Sequence, residues 1–187
     1  MDAVMKANTG KRETILAAGR RLFLKHGLRG ASMEAIAREA GIAKPTLYAY
    51  FPDKQAVFLA IVDELVALWR QDFLAALRGE GDIVQRTGAA LVAKHKAVMA
   101  LLAGSPHAAE IYGEQDRLAA PQFRQLEAEL SAALDAELTL AGAARPRLLT
   151  QLLLAASFGI GHKAQSPAEL GPALRLLSER LIRPELG

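Results

Sequence analysis

Lys44, Thr46, Tyr48 and Tyr50 place a cation, a hydroxyl and two phenols on one short stretch between Gly41 and Phe51. Such groups donate to phosphate oxygens and to the edges of bases, so the chemistry they suit is recognition of a nucleic acid. Pro45 sits among them. It has no backbone N–H to give, so it fits only the first turn of a helix, which must start near Ala43 or Lys44. Other chemistries find less support. There is no cysteine, which excludes disulfides, thiol catalysis and zinc sites built on Cys. His107-Ala108-Ala109-Glu110 has metal-compatible spacing, but no second such pair accompanies it. Gly159-Ile160-Gly161 follows no strand and is no dinucleotide fingerprint. No order of nucleophile, base and orienting residue is legible, so neither an enzyme, a metal nor a cofactor is expected.

The elements that must carry these residues are helical. Ala, Leu, Glu and Arg dominate, apolar residues recur at three and four, and strand signals are nearly absent. A helix is expected from Thr14 to His26, closed by Gly27, with Ile15, Gly19, Leu22 and Phe23 inward. Ser32 caps a second, with Glu34 in its electropositive first turn and Gly41 stopping it. The third runs to about Tyr50 and turns Leu47 and Phe51 inward, leaving Lys44, Pro45, Thr46, Tyr48 and Tyr50 outward. Helix, tight turn and short helix form a helix-turn-helix pattern, whose second helix presents its first residues to the major groove. An ordinary helical hairpin with a polar surface has the same outline.

After Pro52-Asp53 a long helix is expected to about Arg78, with Val57, Ile61, Leu65, Leu68, Trp69 and Phe73 along it. Further helices are expected over 82–103, beyond Ser105-Pro106, from Pro121, over Arg145–Ile160, and from Pro172 to about Ile182, about nine in all. The fold class is all-α: a three-helix N-terminal domain, residues 1–54, joined by the long fourth helix to a helical domain, residues 55–187.

The 187 residues carry a net charge of +3. Residues 1–54 hold ten Lys/Arg against five Asp/Glu, whereas the rest is slightly acidic. That asymmetry suits a polyanion at one end, or simply a solvated basic surface. No apolar run is long enough to span a membrane, and no secretory signal is visible in residues 1–11, so a cytoplasmic location and no membrane partner are expected.

Residues 12–65 closely resemble the DNA-binding domain of the tetracycline-repressor (TetR) family, most specifically in AREAGIAKPTLYAYFPDK. The resemblance implies a transcription regulator, most often a repressor, bound as a homodimer to a near-palindromic double-stranded operator. It implies that Lys44, Pro45 and Tyr48 approach bases and that Ser32, Thr46, Tyr50 and Lys54 contact phosphates. Ala43 departs from the Ser or Thr common there, and Ala49 offers no polar tip.

In the second domain, the helix from Arg145 is apolar on every side, so one neighbouring layer cannot cover it. With the leucine face after Pro172 it is expected to build a two-fold interface through Leu149, Leu153, Ala156, Leu174, Leu177 and Leu181. His95 lies on the stripe Val84, Gly88, Leu91, His95, Val98 and Leu102. With Trp69, Phe73, Met99, His107, Tyr112 and Phe123 it could line a pocket for a small apolar ligand, although each could equally be a core or surface residue. The rival readings are a helical small-molecule binder or protein-interaction module with an incidental basic end, and an enzyme working in the C-terminal cavity.

Overall fold

Glycine punctuation and capping residues divide the chain into helices in a computed structural model that describes residues 2–102, 104–164 and 166–186. Among these residues α1 spans Asp2–Gly30, α2 Met33–Glu39, α3 Lys44–Tyr50, α4 Lys54–Leu77, α5 Ile83–Leu102, α6 Ala108–Leu118, α7 Ala120–Leu140, α8 Pro146–Lys163 and α9 Pro167–Ile182. A 3₁₀ turn follows at Arg183–Glu185. The one β-type pairing among them is an isolated bridge between Ala143 and Leu186.

The caps explain the boundaries. Ser32 is extended and its hydroxyl accepts the Ala35 N–H at 3.1 Å, satisfying a donor that α2 cannot use internally. Gly41 turns the chain at φ 66°, a conformation that costs a residue with a Cβ. Pro45 occupies the first turn of α3. The Asp53 carboxylate accepts the Ala56 N–H at 2.8 Å and caps α4. Asp82 accepts from Gln85 N–H at 2.9 Å while Gln85 accepts from Asp82 N–H at 3.1 Å, a reciprocal box at the start of α5.

Helix α1 breaks at Gly27, where its close is expected (φ 72°, ψ 170°), with helical residues on to Gly30; it starts at Asp2, ahead of Thr14. Helix α9 begins at Pro167 rather than Pro172, because Ser166 takes the cap position and Pro167 the first turn. Pro172 then lies inside the helix.

The described chain divides into two compact units. Met1–Leu65 groups with Leu102–Gln122, and Val66–Leu101 groups with Phe123–Gly187. In the first, α1 packs on α2 and α6, and α2 on α3. Its core holds Ile15, Leu16, Phe23, Ile36, Leu47, Phe51, Val57 and Phe58. Phe23 and Phe58 meet edge to face at 5.9 Å.

In the second, α8 packs on α9, and α7 buries Leu126, Leu130, Leu134 and Leu138 at a spacing of one turn. Arg86 pairs with Glu137 at 2.9 Å, and Lys94 with Glu127, so α5 and α7 run antiparallel. Leu68 on α4 is half exposed.

Candidate nucleic-acid interface

The outward surface of α3 follows from which of its faces is buried. Leu47 is fully buried and Phe51 nearly so, which anchors the helix by one edge. Lys44, Pro45 and Tyr48 are exposed, Ser32 is exposed at the α2 cap, and Thr46 and Tyr50 are half-buried. The Lys44 ammonium lies 6.0 Å from the centre of the Tyr48 ring, the outer range of a cation–π contact. Six of the seven expected DNA-contact residues therefore lie on the α2–α3 hairpin.

Lys54 has a different setting. Its ammonium donates to the carbonyls of Arg29 and Ala31, each at 3.1 Å. Those carbonyls lie at and just past the end of α1, where no intrahelical donor reaches them. Two of the three ammonium hydrogens are thereby engaged within the protein, leaving at most one for a phosphate.

A second clasp on the C-terminal part of α1 comes from α6 and the turn before it. The Glu110 carboxylate accepts the Arg29 backbone N–H at 2.9 Å, and the Ser105 hydroxyl donates to the Leu24 carbonyl at 2.8 Å. Glu110 is held below the usual carboxylate range, first by the Arg29 N–H and then by His107 and Arg29 charges. A Cβ at Gly27 would stand 2.2 Å from a Glu110 oxygen. Arg29, Glu110, Gly113, Glu114 and Arg117 line an open cleft of about 490 Å³ here.

Two residues here have contacts that their sequence context does not suggest: Glu110, in sequence a metal-spaced partner of His107, and Glu34, in sequence a complement to the helix dipole. The Glu34 carboxylate forms an ion pair with Lys44 across the turn. It is held below its ordinary pKa, first by that hydrogen bond, and Lys44 is raised by Glu34 in turn. The signal available in sequence was opposite charge at the start of two consecutive helices, which only the turn geometry brings together.

The expected pocket residues separate. Trp69 and Phe123 meet at 6.0 Å in the second unit, where Trp69 and Phe73 are buried. His95 is buried too, and its Nε2 lies 3.1 Å from the Ser157 hydroxyl. That hydroxyl donates to the Leu154 carbonyl at 2.9 Å, which leaves its oxygen free to accept from an Nε2–H. Burial, with a smaller contribution from the Lys94 charge, pushes the imidazole down to about 4. His95 is thus neutral at physiological pH. Met99 is half-buried on α5. His107 belongs to the first unit, its Nδ1 3.4 Å from Glu110. The side chain of Tyr112 lies outside the described residues.

Of the residues expected at a two-fold interface, Leu149, Leu153 and Leu174 are buried within the chain itself, at 4%, 0% and 0% exposed. Ala156, Leu177 and Leu181 are half-buried. A helix apolar all round gives no hint of which stripe faces inward. The outward stripe carries Leu148, Leu152 and Phe158, 44%, 45% and 68% exposed, with Leu176 on α9 at 57%.

Residues 15–61 match the family described as "Bacterial regulatory proteins, tetR family". The chain is 34% identical over 82 residues to the transcriptional regulator RutR of Escherichia coli K12, covering 39% of each chain. It is 39% identical over 87 residues to the transcriptional activator FasR of Mycolicibacterium smegmatis, 44% of this chain and 38% of that one. The matched part is thus about two-fifths of the length of these relatives. The whole fold resembles SmeT, the repressor of the Stenotrophomonas maltophilia multidrug efflux pump SmeDEF, with a TM-score of 0.69 and 20% identity over 94% of this chain and 90% of that one. The helix, turn and short following helix described above thus lie within the residues, 15–61, that match this family.

Proposed function

We propose that this protein is a sequence-specific DNA-binding regulator of transcription, acting in the cytoplasm as a ligand-responsive homodimer. The observation that carries the reading is the first turn of α3: Leu47 anchors it while Lys44, Pro45 and Tyr48 stand exposed. Residues 1–54 supply the DNA contacts, with Lys44, Pro45 and Tyr48 at bases and Ser32, Thr46 and Tyr50 at phosphates. Lys54 acts chiefly by fixing the end of α1. Residues 55–187 take the ligand and the second copy.

Repression relieved by ligand is the action we favour, supported by the repressor SmeT, which also appears in a complex with triclosan. FasR, an activator, marks the other direction open to the family. The ligand is a small apolar molecule held near Trp69, Phe73, Met99 and Phe123. The operator is near-palindromic, with half-sites about one helical turn apart to match a two-fold protein.

Selection of bound duplexes from a randomised library tests the central claim. A near-palindrome should be enriched, and Lys44→Ala should weaken binding to it more than to random duplex of equal length. Failure to enrich any sequence would leave a helical binding module with an incidental basic surface.

A further inference from the structure

A carboxylate on a DNA-reading surface needs explaining. Glu34 is 57% exposed, in the first turn of α2, and faces the side on which Lys44 opens α3. Lys44 is 54% exposed. Phosphates repel a carboxylate, so a surface built only for affinity would do better without one. Both groups are charged at neutral pH, since each stabilises the ionised form of the other. The Ser32 hydroxyl also favours the ionised carboxylate, as the smallest of its causes. Glu34, Lys44 and Tyr48 thus form one chain of contacts, from the first turn of α2 to the outward ring on α3.

We propose that Glu34 is a specificity-determining positioning residue, which holds the Lys44 ammonium at the first turn of α3 for a base edge and keeps it from the phosphate backbone. The inference rests on the DNA-reading function proposed above. Lysine is a flexible point charge with three rotatable donors, and it carries no fixed direction of its own. Unheld, it reaches whichever phosphate is nearest and adds one released counterion to binding at any sequence. Held against Glu34 and beside Tyr48, its remaining hydrogens point in a restricted set of directions, which suits acceptors such as guanine O6 and N7. The carboxylate also makes a misplaced complex less favourable, because a phosphate beside Glu34 is repelled unless Lys44 is engaged.

The test compares the intact protein with Glu34→Gln, Lys44→Ala and the double variant. Two duplexes of equal length are titrated by fluorescence anisotropy between 50 and 200 mM salt: one selected on the wild-type protein, one of random sequence. Glu34→Gln should bind random duplex roughly three- to tenfold more tightly, with a salt slope steeper by about one contact. Its ratio of selected to random affinity should fall about tenfold. In the Lys44→Ala background the same change should leave that ratio unaltered, because Glu34 acts through Lys44. The proposal is overturned if Glu34→Gln leaves the ratio intact, or if its effect is undiminished without Lys44, which would mean simple repulsion of DNA. If the wild-type protein enriches no sequence, the DNA-reading function falls and this inference with it; enrichment with an unchanged Glu34→Gln ratio removes this inference alone.

Discussion

The Lys54 ammonium donates to the Ala31 carbonyl at 3.1 Å, tying the start of α4 to the segment that joins α1 and α2. A residue placed to touch phosphate would leave the free protein's stability unchanged when removed. Lys54→Ala should instead lower Tm by about 2–4 °C, the equivalent of roughly 1 kcal/mol for two lost capping bonds. Thermal unfolding without DNA checks it, and an unaltered Tm would return Lys54 to a purely DNA-facing role.

Gly27 should tolerate no side chain. Its φ of 72° with ψ of 170° lies in a region open essentially to glycine, and a Glu110 oxygen occupies the space a Cβ would need. Gly27→Ala is expected to cost on the order of 1–3 kcal/mol. Denaturant unfolding should show a lower midpoint with an unchanged slope. Glu110→Ala in the same background should recover part of the loss, by removing the clash but not the backbone strain.

Adjacent leucines on α8 should behave oppositely. Leu152→Asp changes an exposed position and should yield folded monomers in sedimentation at micromolar concentration. Leu153→Asp places a charge in a fully buried site and should unfold the second unit, seen as lost helical circular dichroism. A folded Leu152→Asp dimer would move the two-fold interface away from this stripe.

His95 sets a pH dependence of stability. Its folded pKa, about 4, is below the unfolded value near 6.5, so the unfolded chain takes up the proton first. The stabilising effect of the neutral ring is complete above pH 6.5 and is lost as pH falls from there toward 4. The slope attributable to this one group approaches about 1.4 kcal/mol per pH unit inside that window. Urea melts at pH 7 and pH 5 should show it, and His95→Gln should reduce the difference. An equal difference in the variant would assign the effect to other groups.

A regulatory ligand, once identified by screening small apolar compounds for a rise in Tm, should bind free protein and the operator complex with different affinity. Coupling of about 1–3 kcal/mol would give a difference of one to two decades. Identical affinities would separate the sensor from the DNA-binding function.

The sequence carried the local elements well, because their signals are local. Ser32, Gly41 and Pro45 each impose one backbone conformation, so the ends of α2 and the start of α3 follow from residue type. Pro172 is ambiguous, because a proline early in a helix is compatible with either a start or an interior position, and Ser166-Pro167 is the stronger signal. The sites were less legible. Lys54 and Glu110 bind backbone groups 23 to 81 residues away, and no periodicity within one helix encodes that. Glu34 and Lys44 are separated by a turn whose direction decides whether they meet. Helix α8 is apolar on all sides, so choosing Leu149 and Leu153 over Leu148 and Leu152 required knowing where α9 packs.

The outward leucines of α8 and α9 have a consequence for how much of the protein a cell must make. A protomer that leaves Leu148, Leu152, Phe158 and Leu176 in water has exposed apolar surface to hide, and in the proposed assembly only a second copy hides it. Two-fold operator binding then depends on the square of protomer concentration wherever that concentration falls below the dimer's dissociation constant. Halving expression would remove more than half of the DNA-competent molecules. Under this reading the strength of the α8–α9 contact is itself a regulatory parameter: it sets the copy number at which a promoter switches from graded to saturated control.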